Sequence, residues 1–230
     1  MKQLSKYLLV VFCCSTFIVT KAQDNRWEFG VQAGLNLSDG IEKADYILGN
    51  QTIKPGFQVG AIAVYKVNYG LQLQSGLAFT TKGSKSTKHD VWIGTGNPPI
   101  TTMITTTNFM YAQLPLKLAY QLNIGEQFKV TPNAGVYLAY GIGGKQVLKS
   151  STTGNAMEDR KVTYDSFADD SDGYKRFDNG ISFGVTVQFN KYTLAGDYEI
   201  GSANIGRNPN EYQKYSFRNR NIGITIGYIF

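Results

Sequence analysis

Ile222-Gly223-Ile224-Thr225-Ile226-Gly227-Tyr228-Ile229-Phe230 places a large apolar side chain at every even position and mostly glycine or threonine between them. Ile181-Ser182-Phe183-Gly184-Val185-Thr186-Val187-Gln188-Phe189 does the same on the odd positions. A period of two is the mark of a strand with one oily face, because successive side chains point to opposite sides. The same alternation recurs, with more noise, at residues 27–38, 57–65, 71–80, 110–122, 130–140 and 192–200. Eight strands are therefore expected. Short links fall near Asn68, at 123–125 and at 190–191, whereas long polar links fall at about 39–54, 83–107, 143–176 and 202–215. Four long connections at one end and three tight ones at the other describe an up-and-down meander.

The chemistry of the two faces decides which side is oily. In the first strand Trp27, Phe29, Val31 and Leu35 alternate with Glu28, Gly30, Gln32 and Asn36. The polar face is dominated throughout by Gly, Thr, Ser, Gln and Asn, with few charges. A soluble, lipocalin-like carrier would fill its interior with the apolar face and cover its outside with Lys and Glu. Small uncharged residues fit a narrow lumen better than a wet surface. Trp27, Tyr65, Tyr69, Tyr192 and Tyr228 cluster near the short-link ends, as an interfacial girdle would. The expected fold is all-β: an eight-stranded antiparallel up-and-down transmembrane β-barrel with short periplasmic turns and long extracellular loops. An even strand number leaves no bare edge in hydrocarbon.

The beginning of the chain agrees with export. Lys2 and Lys6 precede a short apolar run, and Thr20-Lys21-Ala22 offers a cleavage site, so residues 1–22 read as a signal peptide and 23–230 as one domain. A retained anchor is the alternative. Cys13 and Cys14, the only two cysteines, sit inside the apolar run, which leaves the remainder without disulfide or thiolate chemistry. Loss of Lys2, Lys6 and Lys21 lowers the formal charge from +6 to +3, too little to argue for nucleic acid. Glycine (25), tyrosine (15) and phenylalanine (13) are abundant while mean hydropathy is slightly negative, which suits β structure rather than membrane helices.

Candidate sites are few. Glu28, Lys117, Asp197 and Glu199 phase toward the lumen, where buried charges must pair. A polar plug is the expected role, and a selective solute path the alternative. His89-Asp90, with Ser84, Ser86 and Thr87 nearby, is the one place where histidine-based acid–base chemistry could be assembled, but adjacency in sequence supplies no catalytic geometry. No enzyme and no cofactor are expected. Asp159, Asp165, Asp169, Asp170 and Asp172 form an acidic loop without the spacing or terminal Glu of a calcium loop. Lys175, Arg176, Arg218 and Arg220 lie at outer strand ends, facing either lipopolysaccharide phosphates or that acidic loop. Pro98-Pro99 and the threonine-rich 101–107 run read as an exposed loop.

Several short motifs carry a resemblance. They are Lys54-Pro55-Gly56-Phe57, Gly76-Leu77-Ala78-Phe79 before Lys82-Gly83, and Tyr111-Ala112-Gln113-Leu114-Pro115-Leu116-Lys117. Gly135-Val136-Tyr137, Phe177-Asp178-Asn179-Gly180, Asp197-Tyr198-Glu199 and the closing Arg220-to-Phe230 stretch complete the set. In this order they resemble the Bacteroidetes outer-membrane β-barrel family labelled PorT-like or "porin family". That resemblance implies an outer-membrane location, lipid and lipopolysaccharide as neighbours, and assembly machinery that reads the terminal Phe230. It also implies no assigned activity for most members. Through the name-giving member it allows a link to proteins of a type IX-like secretion system. A shared barrel does not by itself carry a function.

Overall fold

The computed structural model describes residues 26–44, 49–90, 101–152, 160–168, 173–207 and 214–230. The signal-peptide reading, Asp159, Asp169, Asp170, Asp172 and Pro98-Pro99 lie outside them. The described residues form one antiparallel sheet of eleven strands. These are β1 (Trp27–Ala44), β2 (Asn50–Thr52), β3 (Lys54–Lys66), β4 (Leu71–Asp90), β5 (Thr101–Tyr120) and β6 (Leu122–Asn123). They continue as β7 (Phe128–Thr152), β8 (Arg160–Asp165), β9 (Phe177–Phe189), β10 (Tyr192–Gly201) and β11 (Tyr215–Ile229). The pairing order runs β4-β3-β1-β11-β10-β9-β7-β5, β4 also pairs with β5, and β2, β6 and β8 attach as short outriders.

The alternating segments fall on the eight long strands, except that 110–122 runs past β5 into β6 and Phe230 lies just beyond β11, and most of those strands are longer than the alternation. Three expected loops are corrected in part. The stretches 83–90 and 101–107 are strand paired from Gly83↔Asn108 to Asp90↔Thr101. Residues 143–152 extend β7, and 39–44 extend β1. The reason is local. Thr101-Thr102-Met103-Ile104-Thr105-Thr106-Thr107 is β-branched almost throughout and favours extended backbone, yet it has no oily face to generate a period-two signal.

Where alternation is strict, the burial is inside-out relative to a soluble protein. On β1, Leu35 is 70% exposed while Asn36 is fully buried. On β11, Ile224 and Ile226 are exposed and Thr225 is buried. Hydrocarbon as the surrounding solvent accounts for an apolar exterior over a polar interior. At the short-link end, register pairs bring aromatics together on the outside. Trp27 and Tyr65 have centroids 4.9 Å apart and Tyr192 and Tyr228 5.4 Å apart, and Phe128 opposes Phe189.

The tight links owe their shape to residues that accept positive φ. In Asn68-Tyr69-Gly70-Leu71 both central residues have it (54° and 85°), which is the requirement of a type I′ hairpin turn, and Leu71 N donates to Asn68 O. Asn190, at φ 52°, turns β9 into β10.

Candidate functional site

The interior of the sheet is layered. Nearest the short links is a polar cavity of about 80 Å³ whose lining includes Glu28, Gln74, Lys117, Asn133 and Asp197. Lys117 donates from β5 to Asp197 on β10, and Lys66 donates from β3 to Glu28 on β1. Of the four lumen candidates, two therefore pair with each other and Glu28 pairs with Lys66.

Glu199 belongs to the next layer and has a different partner. Lys82 Nζ lies 2.8 Å from Glu199 Oε2, with the lysine side chain fully buried. Gln113 and Asn221 donate to the two carboxylate oxygens at 2.6 and 3.2 Å. The ammonium also sits 4.0 Å from the centroid of the Tyr137 ring. Above it Asn219 donates to Asp178 Oδ2 at 2.9 Å, and the Tyr137 hydroxyl donates to the same oxygen. A charge this deep is tolerated only when paired and hydrogen-bonded, and here the partners converge from β4, β5, β7, β10 and β11.

The outermost layer is apolar. Phe109, Tyr111, Tyr137, Phe167, Tyr174, Ile205 and Phe217 form a buried cluster. Phe109 is its hub, with ring contacts to Tyr111, Phe167, Tyr174 and Phe217 at 4.9–5.9 Å. Phe167 and Tyr174 come from the β8–β9 link and Ile205 from the β10–β11 link. Two glycines make room for this cluster. A Cβ at Gly141 would lie 2.3 Å from the Phe167 ring, and one at Gly40 would lie 2.3 Å from Phe217. Beside the cluster the Tyr215 hydroxyl donates to Glu42 at 3.2 Å. Burial raises the Glu42 carboxyl above its ordinary range, with the bonds from Tyr215 and Gln51 offsetting part of the shift.

The remaining candidates are dispersed. His89 Nδ1 is 3.0 Å from Thr102 Oγ1 on the exposed part of the β4–β5 pair. Arg220 makes a two-pronged contact with Asp39, with Nε donating at 2.8 Å. Arg176 donates to the carbonyls of Gly141 and Phe167, and Lys175 to that of Asn204. Arg218 is exposed. Asp165 accepts the Phe167 N–H at 2.8 Å. Among the described residues no group of acidic, histidine or cysteine side chains has the arrangement of a metal site.

A family model described as outer membrane protein beta-barrel domain matches residues 21–205. The chain belongs to that family. No curated protein matches the sequence of this barrel-domain protein. Among solved structures it is similar to Ail of Yersinia pestis in complex with the heparin analogue sucrose octasulfate, at 13% identity and TM-score 0.39, covering 89% of this chain and 99% of that one. It is similar to a major outer membrane protein of Thermus thermophilus at 14% identity and TM-score 0.43, covering 89% and 99%. OprG of Pseudomonas aeruginosa shows 13% identity and TM-score 0.40, covering 89% and 96%. At these TM-scores the likenesses add nothing to the assignment, which rests on the family match.

For this family member, sequence reasoning missed Lys82 and the aromatic cluster. Lys82 falls at the edge of a segment that reads as a loop, although the alternation of Ala78 and Thr80 continues to it. Phe109, Phe167 and Phe217 likewise fall in or beside segments that read as connections. Isolated aromatics in otherwise polar links were the available signal.

Proposed function

We propose that the protein is an eight-stranded closed barrel of the outer membrane whose lumen is stoppered, and that it acts without catalysis through the part raised beyond the membrane. The pairing of β4 with both β3 and β5 supports closure, since it joins the two ends of the strand order. The short β2, β6 and β8 are then additions to the rim. Residues 1–22 direct export and are removed. The observation that carries the stoppered reading is the stack of Lys82–Glu199 beneath the Phe109 cluster, whose side chains converge from β4, β5, β7, β10 and β11. An eight-stranded barrel is narrow enough to be filled by side chains in this way. That filling speaks against the solute path. The His89–Thr102 contact brings a base within reach of a hydroxyl, but it is exposed and no third group among the described residues orients the imidazole, which speaks against the rim enzyme. The role that remains is structural or adhesive.

Reconstitution in a planar bilayer tests this. Purified protein that shifts its gel mobility on heating, as folded membrane barrels do, should give no stable conductance steps. Large, long-lived steps would overturn the stoppered reading, and absence of heat-modifiable mobility would overturn the barrel.

A further inference from the structure

β7 changes parity where it leaves the apolar belt. Up to Ile142 its even residues face outward, and Tyr137 and Ala139 are buried inside. The register then steps from Tyr111↔Gly141 to Met110↔Gly143, so Ile142 is an extra residue, a β-bulge. Beyond it the odd residues face out. Lys145 opposes Asn108, whose neighbours Thr107 and Phe109 are buried inside, and Lys149 follows on the same face. Without the extra residue both lysines would point over the lumen.

The ladder carries this face sideways. Lys149 stands directly opposite Lys161 of β8, and Lys85 of β4 shares a row with Thr106, Val147 and Thr163. All four lysines are exposed, and among the described residues none has an ion-pair partner. Asp165 opposes Lys145, but one of its oxygens is committed to the Phe167 N–H. Like charges directly opposite across an antiparallel pair, with Cβ atoms about 5 Å apart, work against the sheet. An anion between them reverses the sign. Thr106 and Thr163 add hydroxyl donors to the same face.

Along β7 this face continues the lipid-facing residues Leu138 and Tyr140 upward. Its neighbours in the membrane plane are therefore the groups that stand above the hydrocarbon. We propose that Lys85, Lys145, Lys149 and Lys161 form a basic face that binds the phosphates of the phosphorylated glycolipid, lipopolysaccharide, in the surrounding leaflet. The inference rests on the outer-membrane barrel reading given above. It is distinct from Lys175, Arg176 and Arg220, each of which already donates to an acceptor of the protein itself.

The test compares wild type with a variant carrying Lys→Gln at all four positions, both folded in detergent. The probes are purified lipopolysaccharide and the same material after enzymatic dephosphorylation. At low salt the wild type should bind the phosphorylated form on the order of a hundredfold more tightly than the variant does, with K149Q alone costing about fivefold. Dephosphorylation or high salt should erase the difference, and Lys175→Gln should leave binding unchanged. Equal affinity of wild type and quadruple variant would sink the proposal. So would lysine-dependent capture of a soluble sulfated polysaccharide by vesicle-embedded protein, with no lysine-dependent preference for the glycolipid. Heat-modifiable mobility, measured on each sample, separates the two levels. Protein that inserts but binds independently of the lysines overturns only this inference, whereas wild type that fails to insert overturns the membrane reading and this one with it.

Discussion

The belt half and the raised half of the same strands obey different rules. In the belt, β1 and β11 alternate exposed Leu35 and Ile224 with buried Asn36 and Thr225, and any one-residue slip would put amides into hydrocarbon. In the raised half, β5 runs through Thr101 to Thr107 with no oily side, and the interior holds an aromatic cluster to which the links add Phe167, Tyr174 and Ile205. The backbone is strand in both. What differs is the solvent on each face, and the side chains record the solvent rather than the ladder. A bulge at Ile142 marks the changeover on β7, where parity can invert because nothing outside demands an apolar residue.

The largest effect is expected in the layer between the halves. Lys82→Ala leaves Glu199 buried and unpaired and should cost about 3–5 kcal/mol in urea unfolding from lipid vesicles. The double variant with Glu199→Ala should cost less than the sum of the singles. Simple additivity would mean the pair does not hold the halves together. Next in size, Ile224→Arg in the belt should cost about 2–4 kcal/mol, while Val147→Arg on the outer face above it should cost almost nothing. Equal costs would erase the distinction between the two solvents.

The smallest effect concerns the raised half alone. Because burial lifts the Glu42 carboxyl, the folded state holds that proton more tightly than the unfolded chain does. Stability is therefore highest below the ordinary carboxylate range and falls as pH rises toward the lifted value. Glu42→Gln should flatten that slope in proteolysis of the raised strands. A slope identical in the variant would assign it to another group.

The belt was legible in sequence because two solvents act on it at once. Residues 181–189 and 222–230 declare their phase, and Asn190 marks a turn by tolerating positive φ. The raised half was not, since Thr101 to Thr107 and Lys145 to Lys149 have the composition of a loop and the propensity of a strand. Lys82 falls at the border, one period beyond the last clear alternation. Its partner Glu199 was readable as inward, but no local pattern links residues so far apart in sequence. Lys145 and Lys149 were hidden by the bulge, for which Gly141-Ile142-Gly143-Gly144 is an ambiguous signal.

The ladder between β1 and β11 runs from Gly30↔Ile229 to Ala44↔Tyr215 and includes the Arg220–Asp39 contact. It joins the first described strand to the last. Every other long pairing can start as a neighbour-to-neighbour hairpin or its extension, but this seam depends on segments that meet latest in synthesis. Until they meet, β1 offers one bare edge and β10 another, neither of which hydrocarbon tolerates. Timing is thus written into the topology. β1 has to be sheltered along this edge for as long as β11 is missing.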